Sequence, residues 1–303
     1  MLQTHRMTAL PHLRISQPHE GLFAYYDGRI DGYRFDQRPN WVDAGGLSLG
    51  IASFALVNGV EAIAYDTGTT PAHGRAIANH LRGLGVQSVR IIYSHWHKDH
   101  VAGTAQVLEA FPNSQVIANV RTAAHLSDNK ADLESDRDWP PINPVVLPTE
   151  TFDGTHQFTL GTREVELHCF NIHSDDASVL WLPGDRVLLA GDTLEDPITY
   201  VDEPEAFAHH LADLERLKTL DAKHILPCHG AEPIIASGGY RPSLIDAMET
   251  YSRWLQSLSV HGENARQSVH DILADHFEAN HISWFEPYTS VHEANIKAAL
   301  SVD

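Results

Sequence analysis

Four side chains able to ligate a metal stand within SHWHKDH (94–100), directly behind the apolar run SVRIIYS (88–94). That run predicts a buried strand, and the histidines sit where it ends. His95 and His97 lie two apart. In extended backbone such neighbours point the same way, so two imidazoles can share one borderline-soft cation such as zinc. Asp99 and His100 come after the chain has begun to turn and face an adjacent position. One short run therefore offers two half-sites, each incomplete.

Later strand ends supply the missing donors. REVELHCFN (163–171), RVLLAGD (186–192) and KHILP (223–227) read as strands, and His173, Asp192 and His229 end or follow them. The predicted assignment gives His95, His97 and His173 to one cation, and Asp99, His100 and His229 to a second. Asp192 bridges the two. Two zinc ions against two carboxylates and a hydroxide leave a single positive charge. One dication alone would leave the second donor set buried and poorly satisfied. Only five of the 21 histidines carry this pattern. His209 and His210, on a helical stretch, read as solvated.

Composition bounds the partners. The 303 residues, 43% hydrophobic and 20% charged, suffice for one large domain or two smaller ones with a buried core. Twenty-one Lys and Arg against 40 Asp and Glu give a net charge of −19, which disfavours nucleic acid and anionic membrane. The expected partner is a small-molecule substrate, and a homodimer stays open. Two cysteines, Cys169 and Cys228, exclude a disulfide framework and read as reduced, mostly buried thiols. No apolar run approaches the roughly 20 residues of a membrane span. The first twenty residues lack a signal-peptide core, so the expected compartment is the cytoplasm.

Residues 1–239 read as a strand-rich catalytic domain and 240–303 as a helical extension packed on it. Asn58-Gly59 predicts a hairpin within IASFALVNGVEAIAYD (51–66). Thr70 with Pro71 predicts a helix start. Helices are also expected from about Gly103 to Phe111 and over 205–219, and further strands at QVIANV (115–120) and SVLWLP (178–183). Residues 128–156, polar and rich in proline, read as one long surface loop. In the tail, helix starts are read at Ser243 with Asp246, Asn264 with Gln267, and Ser290 with Glu293. Trp96 reads as packing. Trp284, Phe285 and Tyr288, with Phe23, Tyr25, Tyr26 and Trp41, read as core packing or as walls of an apolar pocket.

AYDTG, SHWHKDHVAG, FNIHSDD, LLAGDT and LPCHG, in that order over roughly residues 45–235, resemble the metallo-β-lactamase superfamily. The resemblance implies an α+β fold, a four-layer αβ/βα sandwich with a C-terminal helical extension, and a site at one edge. It implies metal ligands at His95, His97, Asp99, His100, His173, Asp192 and His229, two zinc ions per chain, and iron or manganese as alternatives. Asp66 would orient a ligand, or merely form an Asp-Thr-Gly turn. The implied chemistry is attack on a carbonyl by a hydroxide shared between the cations. Asp99 would orient that hydroxide and relay its proton.

The substrate expected from the resemblance is a lactone or ester. The best-known zinc β-lactamases have a cysteine where this chain has Asp192, and a drug-binding lysine where it has Glu195. A glutamate there would repel an anionic β-lactam. Familiar acyl-homoserine lactonases carry a tyrosine at that position, and the nearest one here is Tyr200. Lys98 and Tyr200 are the candidate substrate contacts. Alternatives are a thioesterase of glyoxalase II type, promiscuous or true β-lactamase activity, and a mononuclear iron oxidoreductase resembling persulfide dioxygenases.

Overall fold

The structure is a computed structural model that describes residues 12–201, 203–261 and 265–301. Its first sheet is built from local signals. β3 (Ile51–Asn58) and β4 (Glu61–Tyr65) pair antiparallel around Gly59, whose φ of +61° fits a glycine. β1 (Arg14–His19) and β2 (Leu22–Asp27) extend the sheet on one side. On the other side β5 (Ser88–Ile92), β6 (Gln115–Asn119) and β7 (Glu150–Phe152) join in parallel. The strand order is simply β1 to β7.

Parallel neighbours need crossovers, and helices supply them. α1 (Pro71–Gly83) starts as its sequence predicts: Thr70 accepts a hydrogen bond from the His73 amide, with Pro71 in the first turn. α2 (Lys98–Val101), α3 (Thr104–Ala110) and α4 (Val120–Leu133) follow. Alternation decides which side each strand residue serves. Ala62, Ala64, Ile91, Val116 and Ala118 join Ile77, Leu81, Val107 and Leu126 of the helices. Phe54, Ile63, Tyr65, Ile92 and Ile117 face the second sheet.

That second sheet runs β12 (His224–Pro227), β11 (Val187–Gly191), β10 (Ser178–Leu182), β9 (Arg163–Cys169) and β8 (Thr155–Leu160), with only β11 and β12 parallel. Apolar residues fill both its faces, because α5 (Phe207–Lys218) and α7 (Ser243–His261) cover the side away from the first sheet. The layers are helices, sheet, sheet and helices, the expected αβ/βα sandwich. α6 (Glu232–Ala236), α8 (Val269–Ile272), α9 (Ala274–Glu278) and α10 (Tyr288–Ala299) complete the chain. Leu244, Met248, Tyr251 and Leu255 of α7 share one apolar cluster with the sheets.

Several local expectations are corrected. The stretch 128–156 is not one loop: α4 reaches Leu133, and β7 and β8 begin before its end. β8, THQFTL, is an edge strand with alternate residues exposed, so it lacks the apolar run that marks its neighbours. The second tail helix starts at Ser268, which forms a reciprocal cap with Asp271; Asn264 lies outside the described residues. The Ser290–Glu293 cap does not form. Pro287 starts α10 earlier, and the Ser290 hydroxyl donates to the Pro287 carbonyl. His210 is buried, its Nε2 3.0 Å from Asn171 Oδ1, whereas His209 is exposed as expected. Among the described residues no helix is long and apolar enough to cross a membrane. Cys169 and Cys228 are free thiols.

Candidate metal centre

The seven singled-out side chains all hang from the carboxyl ends of strands. Beyond β5 the chain delivers His95 and His97 in extended backbone, then turns into the short α2 carrying Asp99 and His100. His173 follows β9 at a φ of +72°, a left-handed conformation costly for a histidine and typical of functional sites. Asp192 and His229 leave the parallel pair β11 and β12 side by side. Gly191 is required where the sheets meet, since a Cβ there would lie 2.8 Å from Ser94 Cβ and 3.0 Å from the Tyr65 hydroxyl.

The donor atoms converge. His95, His97 and His173 form one triad and Asp99, His100 and His229 another, each within 4.8 Å internally. His173 Nε2 faces His97 Nδ1 at 3.1 Å, and Asp99 Oδ2 lies 3.3 Å from His229 Nε2. Asp192 Oδ2 sits between the triads. It is 3.7 Å from His95 Nε2 and 3.9 Å from His173 Nε2 on one side, and 3.1 Å from His100 Nε2 and 3.4 Å from His229 Nε2 on the other. His95 Nε2 and Asp192 Oδ1 are buried with no hydrogen-bond partner, a costly state that a cation would relieve. This borderline nitrogen and oxygen donor set fits zinc.

The rear nitrogens are fixed from outside. His100 Nδ1 donates to Asp66 Oδ2 at 2.9 Å, His173 Nδ1 to the Tyr200 carbonyl at 2.9 Å, and His229 Nδ1 to the Gly50 carbonyl at 2.7 Å. Each bond commits its ring to one tautomer with Nε2 facing the cluster. Asp66 also accepts from the Ser94 amide and hydroxyl, and the Cys228 thiol reaches the same carboxylate. Asp176, unremarked in the sequence, accepts from the Trp96 amide and the Ser174 and Thr122 hydroxyls. It pins the histidine segment from beneath; the only sequence signal was its place in HSDD.

Burial and opposite charge pull against each other within the cluster. Burial, with His100 and His97 adding to it, keeps His95 well below its ordinary value. Burial would raise Asp99 and Asp192, but the imidazoles of His100 and His229 overcome it and hold both carboxyls low. Burial would lower His229, yet Asp192 and Asp99 push it up to about 9.

A cavity of about 320 Å³ opens beside His97 and Asp99, lined by Trp41, Ala44, Gly45, Gly46, Trp96 and Lys98. One wall is a π-helical turn, Val42–Leu47, which sequence reasoning missed. Gly46 lets it approach, because a Cβ there would lie 2.5 Å from Thr69 Cγ2. Trp96, read as packing, is half-buried and lines this cavity. The loop after α4 closes the rim: the Trp139 and Pro140 carbonyls accept from Trp41, and Asp138 pairs with Lys98. Tyr200 is exposed, its ring 6.0 Å from that of His173.

Glu195 corrects an expectation. It does not face a substrate: it is buried, accepting from the Tyr200 amide and the Tyr288 hydroxyl, and burial and Asp192 raise its carboxyl to about 8. Of the aromatic candidates, Tyr25, Tyr26 and Tyr288 are core. Phe285 lies under Arg29 and lines a separate cavity of about 490 Å³.

Comparison with known proteins adds the lineage. A family model described as the metallo-beta-lactamase superfamily matches residues 49–229. Recombination protein 2 of Haemophilus influenzae is 25% identical over 251 residues, 75% of this chain and 29% of that protein. A hydroxyacylglutathione hydrolase of Gloeobacter violaceus is 36% identical over 64 residues, 21% of this chain and 25% of that protein. The chain thus spans less than a third of the length of these two curated relatives. Among solved structures, DIM-1 metallo-beta-lactamase exposed to ceftazidime superposes with a TM-score of 0.59 at 18% identity, over 80% of this chain and 98% of that one. The matching model covers more than half of the sequence, and the chain belongs to the metallo-beta-lactamase superfamily.

Proposed function

We propose that this chain is a hydrolase using two divalent cations, zinc by preference, to cleave a lactone or ester. His95, His97 and His173 would hold one cation, Asp99, His100 and His229 the other, and Asp192 both. The position of Asp192 Oδ2 within 3.9 Å of a histidine nitrogen on either side carries the reading. Bound there, the cations would supply Lewis acidity for a carbonyl oxygen and bring the pKa of a water toward ~7.

The residues do the rest. Asp99 stands at the cavity edge, so it can orient the attacking water and relay its proton. Trp41, Trp96 and the Gly45–Gly46 turn shield one flank from solvent and receive an apolar arm of the substrate. Lys98, between Asp138 and the Trp41 ring, and Tyr200, beside His173, are the polar contacts at its rim. Thioester cleavage is the second reading, favoured by the matched segment of the Gloeobacter hydrolase.

Metal analysis of protein purified without added metal, followed by assays of the zinc-loaded form on lactones, aryl esters, thioesters, phosphodiesters and a chromogenic cephalosporin, tests this. Two zinc ions per chain and fastest turnover of lactones or esters are expected. One iron and no zinc would overturn the hydrolase. Fastest thioester turnover would move the assignment to the second reading.

A further inference from the structure

The backbone that steadies His173 is itself gripped from the C-terminal tail. The Tyr200 carbonyl accepts from His173 Nδ1, so the path of residues 199–201 decides where that imidazole points. Asn295 of α10, fully buried, holds both flanks of Tyr200. Its Nδ2 donates to the Thr199 carbonyl at 2.9 Å, and its Oδ1 accepts from the Val201 amide at 2.9 Å. The same Nδ2 reaches toward the Tyr251 hydroxyl at 3.4 Å, tying the clamp to α7. From below, the Tyr200 amide donates to Glu195, which accepts from Tyr288 at the start of α10.

One side-chain amide can satisfy a carbonyl and an amide two residues apart only if the segment between them keeps one shape. Its donor and acceptor are used in fixed directions. With backbone groups this deep, breaking either bond leaves an unpaired buried polar atom, so the loop must move. The carbonyl that moves with it holds His173.

We propose that Asn295 is a positioning residue for the metal centre, setting His173 through the 199–201 backbone from over a hundred residues away in sequence. This rests on the metal-centre reading of the seven donors. Tyr288 supports the same loop through Glu195, so α10 acts as a brace on the site and not only as packing.

The test compares wild type with Asn295→Leu, which removes both hydrogen bonds, and Asn295→Asp, which keeps the acceptor and loses the donor. Leu255→Ala, a core truncation on α7 outside the hydrogen-bonding chain, is the control for destabilisation alone. Metal affinity is read by chelator competition, and site geometry by the visible spectrum of the cobalt-loaded protein. Asn295→Leu should weaken one of the two cations by about tenfold or more and alter the cobalt bands. Asn295→Asp should do so to a lesser degree. Leu255→Ala should lower the melting temperature and leave affinity within about twofold. The proposal is overturned if Asn295→Asp or Asn295→Leu leaves both affinities and the spectrum as in wild type, or if Leu255→Ala weakens metal equally. Should Asn295→Leu fail to fold, the Asp variant alone decides. A wild-type chain that binds no cobalt would instead defeat the metal-centre reading.

Discussion

Oδ2 of Asp66 lies 2.9 Å from Nδ1 of His100, and the same carboxylate accepts from the amide and hydroxyl of Ser94, the residue before His95. One buried acid thus fixes a donor of each triad. Asp66→Ala removes the acceptor shared by the His100 ring, the Ser94 amide and hydroxyl, and the Cys228 thiol. Metal affinity should fall about 10- to 100-fold. Chelator competition measures that loss, and an unchanged affinity would show that Asp66 only forms its turn.

In the proposed mechanism Asp99 would combine ligation with proton transfer at the cavity edge. Asp99→Ala should lower kcat by about 10²- to 10⁴-fold, the usual share of a positioned acid–base group. Steady-state kinetics at saturating zinc, with metal content checked in parallel, separate the two roles. Turnover at the wild-type rate would remove Asp99 from the mechanism.

Gly45 faces the apolar cavity, and a Cβ built on it meets nothing within 4 Å. Gly45→Phe should therefore fold normally while filling the space beside Trp41 and Trp96. The expected outcome is a KM about tenfold higher for esters with a bulky apolar arm and little change for small ones. A uniform change across substrate sizes would place the substrate arm elsewhere.

Two histidines outside the site make stability depend on pH. Burial lowers His73 from 6.5 to about 4, and burial, with His209 adding to it, does the same to His210. The unfolded chain binds these protons more readily. The stability gained by keeping the rings neutral is therefore complete above about pH 6.5 and is lost as pH falls through about 4. His73 alone accounts for up to about 3 kcal/mol. Urea unfolding of metal-free protein at pH 7 and 4.5 should show the drop, and His73→Leu should reduce it by about 2 kcal/mol. An equal drop in that variant would remove His73 as the cause.

What was legible in the sequence followed from runs that fold locally. The seven donors could be picked out because each lies at or a few residues beyond the end of a short strand, a signal that needs no knowledge of the partner. Asn58-Gly59 and Thr70-Pro71 set their turn and helix start by backbone preference alone. Features that depend on distant chain segments were not legible. The turn at Val42–Leu47 exists because Gly46 fits against Thr69. Glu195 looks like a surface charge until Tyr200 and Tyr288 close over it. The support for His173 is a main-chain oxygen, which no residue type announces. His210 reads as solvated because only the packing of α5 on the second sheet buries it, where Asn171 meets its ring.

The first sheet contributes His95, His97, Asp99 and His100, and the second contributes His173, Asp192 and His229, so neither layer owns a complete coordination sphere. Cations seated there would rivet one half of the molecule to the other across their shared seam. Metal uptake would then report that both halves have docked, and stripping the ions would loosen the joint along that seam.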